Sequence, residues 1–317
     1  AFDKALSLAD KLASEGQTAE ARARAALTAV DALLRAGRAR DAEDRLNRLR
    51  SNESGGAPPS IEARILVLVT AAARRFLPAS HDERLVEDAD ASGDRALQIE
   101  ARLAAARFRR DEKGIALAEQ AARLATESSG DERYRALSLR FELMVQLSGA
   151  DPSRLREAAE AAREAARAIG STWAELDADN AMAVVEANAG EHARARSLFD
   201  AIATKAGEKR FGTLRREAML NAATCALREG KLAEAAARAG ELASRAREAG
   251  DAKLLAQAQS VRADALFREG ALDEAAAAIE EAVAIATEGR DYTATLALLR
   301  RAEIRAVQGD RTGARAD

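Results

Sequence analysis

The chain has 317 residues, of which 48% are hydrophobic, 32% are charged and only 3% are aromatic. Its 49 basic and 52 acidic side chains leave a formal net charge of −3, which disfavours a nucleic-acid-binding surface because such surfaces are normally basic. Strong helix formers dominate and only four prolines are present, so the composition predicts an all-α protein and disfavours a β-sandwich or barrel.

Glycines divide the sequence into helix-sized segments at a regular interval. One series is 40, 40 and 39 residues apart, and a second series interleaves with it. The first series is Gly190, Gly230, Gly270 and Gly309, and the second is Gly93, Gly130, Gly170, Gly207, Gly250 and Gly289. Glycine accepts the left-handed conformation that ends helices, so both series predict helix ends, and the fixed period is typical of stacked helical repeats.

These ends define the predicted elements in chain order. We predict a helix near 2–14, a final helix over 291–308 and, between them, helix pairs near 18–51, 59–92, 94–128, 131–169, 171–205, 210–249 and 251–288. Within a pair, the helix before the inner turn is the first helix and the helix after it is the second. Side chains that cap the next helix follow the second glycine series, at Asp94, Asp131, Ser171, Asp251 and Asp291.

A short motif ending in alanine follows the inner turns. It reads Leu155-Arg-Glu-Ala158, His192-Ala-Arg-Ala195, Leu232-Ala-Glu-Ala235 and Leu272-Asp-Glu-Ala275. Two helices joined by a few residues cross closely, and a larger side chain at the crossing would overpack it by about 1–3 kcal/mol. We therefore expect these alanines to lie where the two helices of a pair cross.

The pattern resembles the tetratricopeptide repeat over nearly the whole chain. The matching positions are the inner-turn glycines, the motif alanines, the small first-helix residues Val30, Ala183, Ala223 and Ala263, and the later alanines Ala165 and Ala282. The period near 40 exceeds the family's value of about 34 residues and is similar to that of a subgroup found in large bacterial signalling regulators and in adaptors such as kinesin light chain. The resemblance implies a right-handed α-solenoid of about eight stacked helix-turn-helix repeats, with the first helices lining a concave surface.

We expect residues 1–317 to form a single solenoid that is a fragment of a longer chain. The repeat at 51–92 is irregular, because 51–60 is rich in turn residues and 76–84 contains a proline. A hinge or altered binding face is one interpretation, and a degenerate repeat is the other. The apolar stripe of the opening helix, which would lie at an uncapped end, predicts end-to-end self-association or fraying there.

The residues needed for enzyme chemistry are sparse. His81 and His192 have no second metal ligand at a suitable spacing, and no glycine-rich phosphate loop or hydrolase motif is present. Cys225, the only cysteine, is expected to be a buried thiol, and Trp173 a packing anchor. The absence of a disulfide framework favours a cytoplasmic protein, although a periplasmic protein without disulfides would look the same. We expect no catalysis, no cofactor, no metal and no membrane insertion.

Polar side chains recur on one side of three consecutive first helices. Their spacing of three or four residues and its multiples places each set on one helix side. They are Asp177, Asn180 and Asn188; Glu217, Asn221, Thr224 and Arg228; and Gln257, Ser260, Asp264 and Arg268. These residues are the first-helix strip. Asparagine and glutamine there can pair with the backbone of an extended segment, whereas the alternative is a solvated helix side with salt bridges.

Together these features predict a non-catalytic protein–protein interaction module. It would bind a protein or peptide segment on the concave strip, as the sensor or scaffold part of a larger bacterial signalling protein. One alternative is a ligand-sensing domain that regulates an attached ATPase, kinase or protease, and another is a structural spacer or oligomerisation array. Lysine is absent from the strip, which disfavours a receptor for chaperone tails.

Overall fold

The computed structural model describes Lys11, Ala25, Ala29 and residues 82–109, 111–127, 130–147, 151–289 and 292–317. The predicted helix near 2–14, the pair at 18–51 and most of the irregular repeat at 51–92 lie outside these ranges. The described residues contain 13 α-helices and no strand, which confirms the predicted all-α class.

Residues 1–170 form one compact unit, and its described part consists of helices joined by short turns. Helix α1 spans Asp82–Ser92, α2 spans Arg95–Phe108, α3 spans Glu112–Leu124, a 3-10 turn spans Ala125–Glu127, α4 spans Gly130–Gln146 and α5 spans Pro152–Ile169. Helices α2 and α3 are one predicted pair, and α4 and α5 are the next.

Residues 171–317 form the second compact unit. Its helices are α6 (Thr172–Asn188), α7 (His192–Glu208), α8 (Gly212–Arg228), α9 (Leu232–Ala249), α10 (Ala252–Glu269), α11 (Leu272–Gly289), α12 (Tyr292–Val307) and α13 (Arg311–Ala316). Three first–second helix pairs run from α6 to α11, with limits close to the predicted ones. The single solenoid over 1–317 stays a prediction.

The inner turns depend on a left-handed glycine. Gly230 ends α8 with a φ of 78°, and the Lys231 N–H then donates to the Ala226 carbonyl at 3.0 Å. This bond satisfies one of the carbonyls that the end of the helix leaves open. Gly190, Gly270 and Gly309 have φ values of 86°, 88° and 89°, so the predicted role of the whole first series is confirmed.

The second glycine series is less uniform than predicted. Gly93, Gly170 and Gly250 are left-handed as expected. Gly207 instead lies inside α7, and Arg210 takes the left-handed conformation with a φ of 60°. A Cβ at position 207 would lie 3.3 Å from Nε of Arg215, so this glycine allows a close approach of α8.

The capping side chains follow the observed helix starts. Asp94, Ser171 and Asp251 each accept a hydrogen bond from a backbone N–H in the first turn of the next helix, as predicted. The predicted capping role of Asp131 is wrong, because α4 already begins at Gly130 and Asp131 is therefore a first-turn residue. Asp291 lies outside the described residues.

The motif alanines lie at the helix crossings. Ala195, Ala235 and Ala275 have no exposed surface, and Ala158 is 1% exposed. In the last complete pair, Ala263 of α10 and Ala275 of α11 belong to one apolar cluster, to which Ile304 of α12 also contributes. The methyl side chains therefore permit close packing both within a pair and onto the next first helix.

Ion pairs connect the second helices of neighbouring pairs. Arg196 of α7 donates to Glu229 at 2.6 Å and to Glu234 of α9 at 3.3 Å. Arg238 of α9 donates to Glu234 at 2.8 Å and to Asp200 of α7 at 2.7 Å. The hydrogen bond from Arg196 lowers the pKa of the Glu229 carboxyl, so this carboxylate stabilises the fold at neutral pH and stops doing so once acid protonates it.

We expect Ala235→Trp to destabilise the protein by about 1–3 kcal/mol, because the indole must displace packed residues of α8 and α10. The control is Ala237→Trp, which places the same side chain on the exposed side of α9. Urea unfolding followed by circular dichroism measures both. Equal stability of the two variants would show that the crossing tolerates bulk.

Two glycine-to-alanine substitutions should act in opposite directions. Gly230→Ala should destabilise by about 1 kcal/mol, because an L-residue is strained at its positive φ. Gly240→Ala should stabilise by about 0.5–1 kcal/mol, because Gly240 lies within α9 and the new Cβ would meet Arg262 at an ordinary 3.7 Å. Thermal unfolding should show a lower midpoint temperature for Gly230→Ala and a higher one for Gly240→Ala. Midpoints that shift in the same direction would contradict the left-handed role of Gly230 in the turn.

Candidate functional site

The structure places all eleven strip residues on the first helices α6, α8 and α10. Asn188, Glu217, Arg228 and Arg268 are exposed, and the other seven are half-buried. None belongs to the buried core, so each presents some surface to solvent.

Consecutive first helices repeat the same positions. The inner-turn glycines Gly230 and Gly270 end α8 and α10 in the same conformation, so residues 40 apart in these helices are equivalent. Thr224 thus corresponds to Asp264, and Arg228 corresponds to Arg268. Two columns of equivalent positions contain a strip residue from each of the three first helices, namely Asp177, Glu217 and Gln257, and Asn188, Arg228 and Arg268, whereas Asn221 corresponds to Ala181 and Val261.

The strip extends from α10 to α12 through an ion-pair network. Asp264 accepts from Nε of Arg268 at 2.9 Å and pairs with Nη2 of Arg300, on α12, at 3.0 Å. Arg300 also donates to Glu303 at 2.5 Å and lies 5.3 Å from the centre of the Phe267 ring. Each acid here has an arginine, so this end of the strip is compensated in charge.

Sequence reasoning did not assign Arg300 and Glu303 to the strip. The available signal was the 39-residue offset between Gly270 and Gly309, which places Glu303 in the column of Asp264. The position of Arg300 between the two acids depends on how α12 packs against α10, and no spacing rule reveals that contact.

Three strip side chains donate to their own helix. The hydroxyls of Thr224 and Ser260 and the amide nitrogen of Asn188 each donate to the backbone carbonyl four residues earlier, at 3.0, 2.8 and 2.8 Å. A side chain that donates to its own helix has one donor fewer to offer a partner.

Four strip groups keep hydrogen-bonding capacity. Asn221, Gln257 and Arg228 form no hydrogen bond or ion pair with another residue that the structure describes, and the side-chain oxygen of Asn180 is buried without a donor. An unsatisfied buried oxygen costs about 1–3 kcal/mol. Asp177 and Glu217 interact with other parts of the chain. The uncommitted groups thus centre on α8 and its two neighbouring first helices.

The titratable side chains outside the strip suggest little chemistry. Over the described ranges, no group of three or more His, Cys, Asp or Glu is arranged to hold a metal ion. Cys225 is 3% exposed, and burial raises the pKa of its thiol to about 11. Trp173, expected from sequence to be a packing anchor, is 46% exposed. Within the same ranges, no helix is long and apolar enough to cross a membrane.

Several solved structures share this fold. A Rap protein complexed with competence and sporulation factor superposes with a TM-score of 0.61 at 13% identity, over 93% of this chain and 85% of that one. Aspartyl phosphate phosphatase F from Bacillus subtilis gives 0.56 at 11% identity, over 92% and 90%.

A third similar structure is longer. The signal transduction ATPase with numerous domains (STAND) protein with a tetratricopeptide repeat sensor, from Pyrococcus horikoshii, gives a TM-score of 0.57 at 12% identity. The match covers 99% of this chain and 50% of the STAND protein, so this chain spans about half of its length.

No protein-family model matches the chain, and no curated protein matches its sequence. The structural likenesses therefore establish the fold alone. The described helices have the fold of tetratricopeptide-type helical repeats, as the sequence pattern predicted.

We expect the thiol of Cys225 to be inert in the folded protein. At pH 8 a pKa of about 11 leaves roughly one thiol in a thousand ionised, and the thiolate is the reactive form. A thiol-specific chromogenic reagent should react slowly with native protein and rapidly once urea unfolds it. Equal rates in the two states would contradict the burial of this residue.

Proposed function

We propose that the chain is a non-catalytic protein-interaction module that binds a protein or peptide segment along the first-helix strip. The module would act as the sensor or scaffold part of a bacterial signalling protein in the cytoplasm. The main support is that three consecutive first helices present uncommitted polar groups on the same side, at Asn180, Asn221, Arg228 and Gln257.

The chemistry of these groups suits an extended segment. A carboxamide both donates and accepts, so Asn221 and Gln257 can each pair with a backbone amide whatever the side chain of the segment. Arg228 adds a charged fork that favours an acidic or carbonyl group.

The similar structures are consistent with this proposal. One of them is a Rap protein complexed with competence and sporulation factor, and another contains a tetratricopeptide repeat sensor. Because fold does not imply function, these proteins support a binding role only together with the strip itself.

A ligand-sensing regulatory domain is the second candidate. The STAND protein joins a tetratricopeptide repeat sensor to a signal transduction ATPase, and this chain matches half of its length. In that case the strip would still bind the ligand, and an attached ATPase, kinase or protease would respond to it. A structural spacer is the third candidate, and it would leave the strip without any ligand.

The test begins with peptides selected by display of a random library on the immobilised protein. We expect the triple variant Asn221→Ala/Arg228→Ala/Gln257→Ala to bind the selected peptides at least about tenfold more weakly, since each lost contact contributes about 1 kcal/mol. Fluorescence anisotropy measures the dissociation constants.

The matched control carries three changes on exposed positions of the second helices α7 and α9, namely Ser197→Ala, Ser244→Ala and Arg245→Ala. Both variants should unfold at about the wild-type temperature, because no core residue changes. Weaker binding by the second-helix variant alone would place the site elsewhere, and a failure to select any peptide would favour the spacer.

A further inference from the structure

We propose that Arg228 recognises an acidic side chain, Asp or Glu, within the bound segment. This inference rests on the proposed function and identifies the partner's chemistry. It arises from a comparison of two repeats of the same unit, α8 and α10, which place an arginine at the same position with different neighbours.

In α10 the strip arginine is neutralised within its own helix. Arg268 lies four residues after Asp264, and its Nε donates to that carboxylate at 2.9 Å. Arg300 from α12 shares the same carboxylate at 3.0 Å. A partner's acid would have to displace Asp264 from Arg268, so this position offers little net attraction.

In α8 the corresponding neutralising acid is missing. Thr224 occupies the position of Asp264, and its hydroxyl donates to the Leu220 carbonyl of its own helix at 3.0 Å. Arg228 is exposed and pairs with no acid among the described residues. Its positive charge is therefore available to a partner.

An exposed arginine without an acidic partner in its own chain selects for a carboxylate. The guanidinium is planar, stays protonated, and can donate two parallel hydrogen bonds to the two oxygens of one carboxylate. An uncharged acceptor such as a carbonyl oxygen can accept hydrogen bonds from the guanidinium but would leave its charge uncompensated. Arg228 thus adds side-chain specificity to a strip whose amide groups would pair only with the backbone of the bound segment.

The position of Arg228 argues for an internal acid and against a terminal carboxylate. Uncommitted amide groups lie on both neighbouring first helices, at Asn180 of α6 and Gln257 of α10. A segment that ended at Arg228 would engage only one of them. A segment that continues past α8 can engage both, so the acid belongs to a side chain.

The experiment uses random peptides displayed in two formats, with the C-terminus fused to a carrier or free. Selection on the wild-type protein should enrich Asp and Glu in the fused format. Arg228→Glu should reverse the preference toward Lys and Arg. Thr224→Asp should reproduce the α10 arrangement, in which an acid four residues earlier neutralises the arginine. The variant should bind a selected acidic peptide about tenfold more weakly although Arg228 itself is unchanged.

The matched control is Thr204→Asp on the second helix α7. Like Thr224, Thr204 donates to the carbonyl four residues earlier, at 2.9 Å, but Thr204 is exposed and lies outside the strip. This variant should bind the acidic peptide as the wild-type protein does. Circular dichroism melting of all variants checks that each is folded.

The outcomes separate the two proposals. If no peptide is selected in either format, the proposed binding function fails and this inference fails with it. If peptides are selected without acidic enrichment, only in the free C-terminus format, or with an affinity that Thr224→Asp leaves unchanged, the role of Arg228 is wrong while the binding function stands.

Discussion

The close crossing of helices through alanine is the constraint on which the rest of this structure depends. Methyl side chains such as Ala235 and Ala275, which have no exposed surface, let the two helices of a pair approach closely. Because the same crossing recurs about every 40 residues, successive first helices turn the same side toward solvent. The columns of the strip are a consequence of this repetition, and a bulky residue at one crossing would disturb the alignment of its neighbours.

Equivalent positions in a repeat are not equivalent in chemistry. Arg228 and Arg268 occupy one column, yet Arg268 shares Asp264 with Arg300, while the position of Asp264 is taken in α8 by Thr224, which donates to its own helix. A pairing within the chain makes one arginine part of the structure, and its absence leaves the other free to act on a partner. Function in such arrays is therefore assigned residue by residue, from what each strip side chain already contacts.

The fold itself leaves the biological role open. The proteins with similar structures include a Rap protein bound to a factor, an aspartyl phosphate phosphatase and a STAND protein with a sensor domain. At 11–13% identity these share an arrangement of helices and little else. A binding role for this chain consequently depends on its own polar strip, in which amides and an arginine are left without partners in the part of the chain described.

Within the described ranges, the sequence by itself determined the helices, the inner turns and the crossing alanines, because glycine conformation, helix propensity and side-chain size act locally and repeat with the period. It also indicated that Cys225 would be buried. Only the tertiary structure decided that Gly207 accommodates Arg215 within α7, that Trp173 is exposed and that Asp264 already holds two arginines. These outcomes depend on side chains that meet from different helices, at distances that spacing along one helix does not encode. Which arginine of the strip is free is a property of that packing.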